Sequence, residues 1–415
     1  MRVKVILNRI EKLKGFVYRS VKWSEDRSGL VAAIEPRRGS QPICSGCGKS
    51  RPAYDRLKTR LFQYVPLWGL AVYFLYAPRR VDCPACGVTV ERLPWAEGKS
   101  HSTRSLLLFL AHWARKLSWQ ETADAFGSSW NRVCEAVRWV VAWGLENRDL
   151  RGVSAIGVDE IQCRKGQQYL TLVYQIDEGG RRLLYIGRER TAKTLLRFFH
   201  DMGREWCAGI RFVCSDMWAP YLKVIAKKLT RAVHVLDRFH IVAKLGEAVD
   251  KVRKEEAEEL RRAGYGEALK HAKYCFLKNP ENLTEKQATR LGELMRYDLK
   301  SVRAYLLKES FQCVWAYTKA GWAKSFLAAW CGAAMRSRLE PVKKFVGTVR
   351  RHEELILNWF RAGKAYSSGV VEGLNRKVNL VTRRAYGYRS QETLEIALFH
   401  TLGDLPTPPF THRFW

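Results

Sequence analysis

Three aspartates in the middle of this chain each close a β-prone run. Asp159 follows residues 154–158 (SAIGV), Asp216 comes just after 211–214 (RFVC) and Asp237 follows 232–236 (AVHVL). A single aspartate in such a place is commonly a turn residue or a helix N-cap. Three of them at strand ends within one short region are different, because clustered carboxylates repel one another and require a cation to offset them. Oxygen-only ligands select hard cations, magnesium or manganese first. A second constellation lies upstream: Cys44 and Cys47, then after 35 intervening residues Cys83 and Cys86. Two Cys-x-x-Cys pairs, each followed by a glycine (Gly48, Gly87), have the composition of a closed four-thiolate structural zinc site. A third lies near the end, where Glu372, Arg376, Asn379 and Arg383 repeat at helical spacing. A carboxylate there can bind metal or pair with the cation one turn on. The arginines beside it, with Lys377 and Arg384, can hold phosphates.

The elements that position the aspartates can be read from periodicity. Between Asp216 and Asp237, residues Tyr221, Leu222, Ile225 and Leu229 predict a helix, so this stretch reads strand–helix–strand. Residues 169–176 and 182–186 read as strands joined by the turn 177–180 (DEGG), and 191–202 as a helix. The order is three strands, helix, strand, helix, strand. An antiparallel hairpin feeding a parallel half is the order of the RNase H-like fold. In that fold one acidic ligand lies on the first strand and another just beyond the fourth, the places of Asp159 and Asp216. In open parallel sheets chemistry sits at the carboxyl ends of the strands.

Composition narrows the class. Seventy-two Lys and Arg against 41 Asp and Glu give a formal charge of +31, which points to a polyanion, with nucleic acid first. At 415 residues and 47 % apolar content, several domains with real cores are expected. No run reaches the length of a membrane span, and the start lacks a signal-peptide core, so a cytoplasmic protein is expected. Eleven cysteines then mean thiols or metal ligands rather than disulfides.

In chain order, residues 1 to about 40 predict a small β-rich start, and 59–76 predict strands between the cysteine pairs. Residues 118–127 predict a capped helix, with Ser118 and Glu121 as a capping box and Gly127 as its stop; a second helix starts at 128–138. Helix, glycine turn, helix is the helix-turn-helix pattern. It is either a DNA reader offering Asn131, Arg132 and Arg138 to a groove, or a packed pair linking domains. From 241 to 365 the chain turns helical, for example over 242–262 and 285–307, and Trp315, Trp322 and Trp330 read as bundle core in preference to base-stacking platforms. Ser367 or Ser368 can cap the last basic helix, and Tyr386, Tyr388 and Arg389 extend its basic, aromatic run.

These blocks together resemble bacterial insertion-sequence transposases of the ISL-three type, which carry a DDE catalytic domain. The likeness covers nearly the whole chain. It runs through the cysteine module, the helix-turn-helix, 157–160 (GVDE) with Tyr169 and Asp177, 215–221 (SDMWAPY), 237–240 (DRFH), 368–375 (SGVVEGLN) and 384–387 (RAYG). The resemblance implies a catalytic triad of Asp159, Asp216 and Glu372 holding two magnesium (or manganese) ions, with Asp159 bridging. Asp237 and His240 match an Asp-x-x-His block; His240 either contacts the scissile phosphate or positions water, or it shares a structural hydrogen bond with Asp237. Zinc module and helix-turn-helix would read the terminal inverted repeats of double-stranded DNA, and a homodimer on DNA would join two ends.

The expected architecture is multidomain α+β. It comprises an N-terminal β-rich zinc-binding module (1–98), a helix-turn-helix domain (99–150) and the first part of an RNase H-like α/β catalytic core (151–240). An all-helical insertion (241–365), the last helices of the core (366–403) and a tail (404–415) follow. Two other functions share these features: an RNase H-like nuclease that cuts without strand transfer, and a non-catalytic DNA-binding regulator.

Overall fold

The computed structural model describes residues 3–164, 168–364, 369–385, 387–388 and 390–409. The proposed caps Ser367 and Ser368, together with Tyr386, Arg389 and residues 410–415 of the tail, lie outside them. The chain divides into two compact units, 1–149 with 378–415, and 150–377. No helix among the described residues is long and apolar enough to cross a membrane.

The first unit opens with a helix, α1 (Val3–Ile10), where a β-rich start was expected. Its Leu7 is fully buried in the first core and Val3 packs against the same core, which holds the short helix in place. Strands β1 (Phe16–Trp23) and β2 (Gly29–Pro36) pair antiparallel as a hairpin. Then come β3 (Ala53–Arg56), β4 (Arg60–Leu67), β5 (Leu70–Tyr76), β6 (Arg79–Cys83) and β7 (Gly87–Val90). They make two sheets, β1-β2-β5-β4 and β3-β6-β7. Trp95 plugs the larger one, edge-on to Phe16, Phe62, Phe74 and Tyr76. Helices α2 (Arg104–Trp113), α3 (Trp119–Ala125) and α4 (Trp130–Asn147) follow. The Ser118–Glu121 capping box forms as the sequence predicts.

The second unit is built on β8 (Ala155–Arg164), β9 (Gln168–Asp177) and β10 (Gly180–Arg188), then α5 (Ala192–Met202), α6 (Arg204–Gly209), β11 (Phe212–Ser215), α7 (Ala219–Lys228) and β12 (Val233–Leu236). The sheet order is β10-β9-β8-β11-β12; β8, β11 and β12 pair in parallel, β9 lies antiparallel beside β8, and β10 lies antiparallel beside β9 at the edge. Ile156 and Val158 face a core shared with Leu195, Phe198, Tyr221 and Ile225, so α5 and α7 cover that face. Gly157, of opposite parity, faces the other way.

Beyond β12 the unit is helical: α8 (Arg238–Arg262), α9 (Lys273–Leu277), α10 (Glu285–Leu294), α11 (Lys300–Gln312), α12 (Ala320–Arg336), α13 (Glu340–Arg351) and α14 (Glu353–Arg361) share one core with Val235 and Leu236. The helix predicted over 285–307 is in fact two. The buried carboxylate of Glu256 accepts the N–H groups of Lys300 (2.6 Å) and Ser301 (2.7 Å) and the Ser301 hydroxyl, so a new helix starts there with its first donors satisfied from α8. Trp315 and Trp330 join the core as expected, but Trp322 is 66 % exposed. Helix α15 (Gly369–Arg384) crosses from the second unit into the first, and α16 (Gln391–Leu402) packs on α4, with Ala397 in the core formed by α2, α3 and α4.

Candidate active site

The sheet register brings the aspartates together. Ser215 pairs with Val158 on one side and with Leu236 on the other. Asp159, Asp216 and Asp237 therefore stand in one row, each a single residue past the last matched position of the three parallel strands. The expectation that Asp159 ends its strand needs correction: β8 runs on to Arg164, because β9 keeps pairing with it beyond Asp159 (Asp159 opposite Leu172) after β11 has ended. What ends at Asp159 is the parallel half of the sheet.

Each carboxylate is held by short bonds. Asp159 Oδ1 accepts the Glu160 N–H (2.8 Å), and its Oδ2 accepts Asn375 Nδ2 (2.6 Å). Asn375 is itself fixed by the Tyr174 hydroxyl, which donates to its Oδ1 (2.7 Å). Asp216 Oδ1 accepts the Trp218 N–H (3.0 Å), and Asp237 Oδ1 accepts that of Phe239 (2.7 Å), capping α8. So Asp237 does have the local capping role that an aspartate after a strand commonly takes, and His240 Nε2 stands 3.7 Å from its Oδ2. Burial lifts Asp159 above the usual carboxylate range, aided by the Asp237 charge and opposed by the Glu160 N–H, His240 and Asn375.

Glu160 was missed as a site residue, although it sits in the quoted motif. Strand alternation sends it to the opposite face from Asp159, beside Asp216. Burial first, and then the charges of Asp216 and Asp159, push it up to about 7 against the pull of Arg190. Arg190 was missed altogether; its Nη2 lies 2.5 Å from Glu160 Oε1 and 3.0 Å from Asp216 Oδ2. No local spacing signals Arg190, since it comes from the segment between β10 and α5. Asp177, a motif residue, accepts from Ser154 N (3.2 Å) and Oγ (2.6 Å) and ties the start of β8 to the β9 turn.

Glu372 lies on the first turn of α15, three residues before Asn375, and so on the same side of the helix. Its carboxylate is paired with Arg376 (2.6 Å) and is partly exposed. Asp159, Asp216 and Glu372 do not gather their oxygens within 4.8 Å of one another; among the described residues only the cysteine quartet forms so tight a group. What seats α15 is Gly157, whose missing side chain makes room for Val371.

Comparison with known proteins bears on what this row of acids does. Residues 156–398, the whole acidic site and the helices after it, match the transposase family of the ISL-three DDE type. The transposase for insertion sequence element IS1557 of Mycobacterium tuberculosis is 31 % identical over 96 % of both chains. The transposase for IS1001 of Bordetella parapertussis is 27 % identical over 91 % of this chain and 93 % of that one. The chain belongs to the ISL-three family of DDE transposases.

In this transposase Cys44, Cys47, Cys83 and Cys86 bring their sulfurs within 4.8 Å of one another, a set able to hold one metal ion. The Thr89 hydroxyl and the Cys47 and Gly46 N–H groups pull the Cys44 thiol down to about 6, while burial and the neighbouring thiols push Cys86 up to about 12, so the four sulfurs share their protons unevenly. A Cβ on Gly46 would lie 2.9 Å from Cys86 Sγ, so glycine is needed where the knuckle wraps the cluster, and Gly48 and Gly87 turn with φ of 71° and 70°.

The transposase's candidate DNA-contact cations are variously engaged. Arg132 donates to Gln63, Arg138 pairs with Glu392 (3.2 Å), and Arg384 donates to the Arg115 and Lys116 carbonyls. Lys377 and Arg383 are exposed.

Proposed function

We propose that this transposase binds the terminal inverted repeats of its element, cleaves the strand at each end, and joins the freed 3′ hydroxyls to target DNA in the same site. The observation that carries the reading is the row Asp159, Asp216, Asp237 at the carboxyl edge of the parallel strands, with the α15 side chain Asn375 bonded to its first member. The strand order β10-β9-β8-β11-β12 supports an RNase H-like core. The donor set fits a divalent cation: Asp216 and Asp237 are buried, Asp159 and Glu160 are half-buried, and Glu160 Oε2 is a buried oxygen with no hydrogen-bond partner. Asp159, Asp216 and Glu372 would hold two ions of the magnesium or manganese class, which when bound stabilise charge on the attacking and leaving oxygens.

The remaining work falls to the chain. Asn375, clamped by Tyr174, aims Asp159. His240, close to Asp237 and half exposed, would contact the scissile phosphate or position water. Arg376, Lys377 and Arg383, on the exposed side of α15, would meet DNA phosphates, and the helix α4 with Arg132 and Arg138 would take part in end recognition. The cysteine quartet would hold structural zinc. Because two ends must be joined, the protein would act as a homodimer on DNA.

The test is cleavage of labelled DNA carrying the inverted repeats, with magnesium or manganese, by wild type and Asp216→Asn side by side. Cuts at the repeat ends and joined products are expected from the wild type alone, with end binding kept in the variant. Near wild-type cleavage by Asp216→Asn would sink the triad assignment. Cuts without joined products would favour a nuclease.

A further inference from the structure

Arg190 stands against the acidic row from outside the family's acidic triad. One guanidinium nitrogen reaches both Glu160 Oε1 (2.5 Å) and Asp216 Oδ2 (3.0 Å), and the group lies 4.7 Å over the ring of Trp218, whose backbone N–H takes the other Asp216 oxygen at 3.0 Å. The backbone around it is constrained on both sides. Glu189, just before it, adopts φ of 73°, a conformation a non-glycine residue holds only where its surroundings over-determine it. Those surroundings are visible: Glu189 N donates to the Tyr169 carbonyl (3.0 Å), and its own carbonyl accepts from Thr171 Oγ1 (2.8 Å), which bonds in turn to the Tyr221 hydroxyl (2.7 Å). Thr191, just after it, caps α5 through the Thr194 N–H (3.2 Å). The strained turn thus fixes one cation against one oxygen of Asp216. Both Arg190 Nε and Glu160 Oε2 remain buried with no hydrogen-bond partner, so the contact is not arranged for maximal bonding between the two.

We propose that Arg190 is a positioning residue, the resident counter-cation of Asp216: it orients that carboxylate before metal binds and competes with a divalent cation for Oδ2. The inference rests on the reading of the acidic row as a metal site. Trp218 and Glu160 anchor the guanidinium, so it can yield the Asp216 oxygen while remaining in the site. Removing a neighbouring positive charge strengthens cation binding, whereas removing a merely structural strut leaves Asp216 and Glu160 unpaired and weakens it. The sign of the effect separates the two roles.

The experiment is Mn2+ titration of the DNA-free protein, with bound metal read by electron paramagnetic resonance and fold by circular dichroism. The proteins are wild type, Arg190→Gln, Arg190→Lys and Asp159→Asn, with Arg190→Met replacing the Gln variant should that fail to fold. Asp159→Asn is expected to weaken binding. Arg190→Gln is expected to tighten it by about tenfold or more, and Arg190→Lys, which keeps the charge, to stay within about threefold of wild type. If Asp159→Asn weakens binding but Arg190→Gln leaves it equal or weaker, Arg190 is only a strut and the proposal is overturned. Binding indifferent to Asp159→Asn would instead overturn the metal reading of the row, and this inference with it.

Discussion

Gly157→Ala tests whether the helix that carries Glu372 and Asn375 is seated by a single missing methyl. Gly157 lies inside β8, opposite Tyr174 on one neighbour and Cys214 on the other, so its backbone cannot retreat. A Cβ there would meet Val371 Cγ2 at 2.4 Å and Ile176 Cγ2 at 3.3 Å, where ordinary contact begins at 3.4 Å. Val371 is buried and β-branched, with little rotamer freedom in a helix. The helix must therefore back away by about 1 Å. Such overpacking costs roughly 1–3 kcal/mol, and each kcal/mol lowers the melting temperature of a unit this size by about 2–4 °C. Loss of function should be the larger effect. The 2.6 Å bond from Asn375 to Asp159 would open beyond hydrogen-bonding reach, and a misplacement of about 1 Å at a reacting centre can reduce rate by roughly 10²-fold. The assay is single-turnover cleavage of end DNA at saturating protein, paired with a thermal melt. Adding Val371→Ala removes the offending Cγ2 and should restore most of the cleavage, though not all of the stability, because a buried methyl pair is lost. Wild-type cleavage and melting in Gly157→Ala alone would refute the seating argument.

Chelation should release metal from Cys44, Cys47, Cys83 and Cys86 and melt the β3-β6-β7 sheet around them, with weaker DNA binding; a melting profile unchanged by chelator would count against a structural metal. Gly46→Ala, which crowds Cys86 Sγ, should release the ion at lower chelator concentration, read with a chromogenic zinc indicator. Burial lowers His234 to about 4 and His400 to about 3 from an ordinary 6.5. The folded state then binds fewer protons than the unfolded one below pH 6.5, so stability is complete above that value and falls as the pH drops toward 4. Urea titrations from pH 7 to 4 should show that fall, and His234→Gln should flatten it; an equal slope in the variant would contradict the buried neutral imidazole.

Much of the chemistry was legible from local pattern. Asp216 and Asp237 lie just past strands, as the apolar runs before them predict, and the cysteine spacing anticipated one tight cluster. The capping box at Ser118 formed because it needs only residues three apart. Illegible features were those assembled across distance. Glu160, Arg190 and Trp218 come from three segments with no shared periodicity, and Asn375 reaches Asp159 from 216 residues away. The break before Lys300 carries no local signal, because the carboxylate that caps the new helix belongs to Glu256, on a different element.

Residue type and near-neighbour spacing were thus enough to name the acids, the thiols and the alternation of strands and helices, since each depends on interactions within a few positions of the chain. They could not show that Asp159, Asp216 and Asp237 share one row, which is a matter of strand register. Nor could they show that Val371 packs into the gap at Gly157, or that α16 closes on α4. Register and packing partner are selected by long-range burial and shape, and a helical or alternating apolar stripe records only that a face must be covered, not by what.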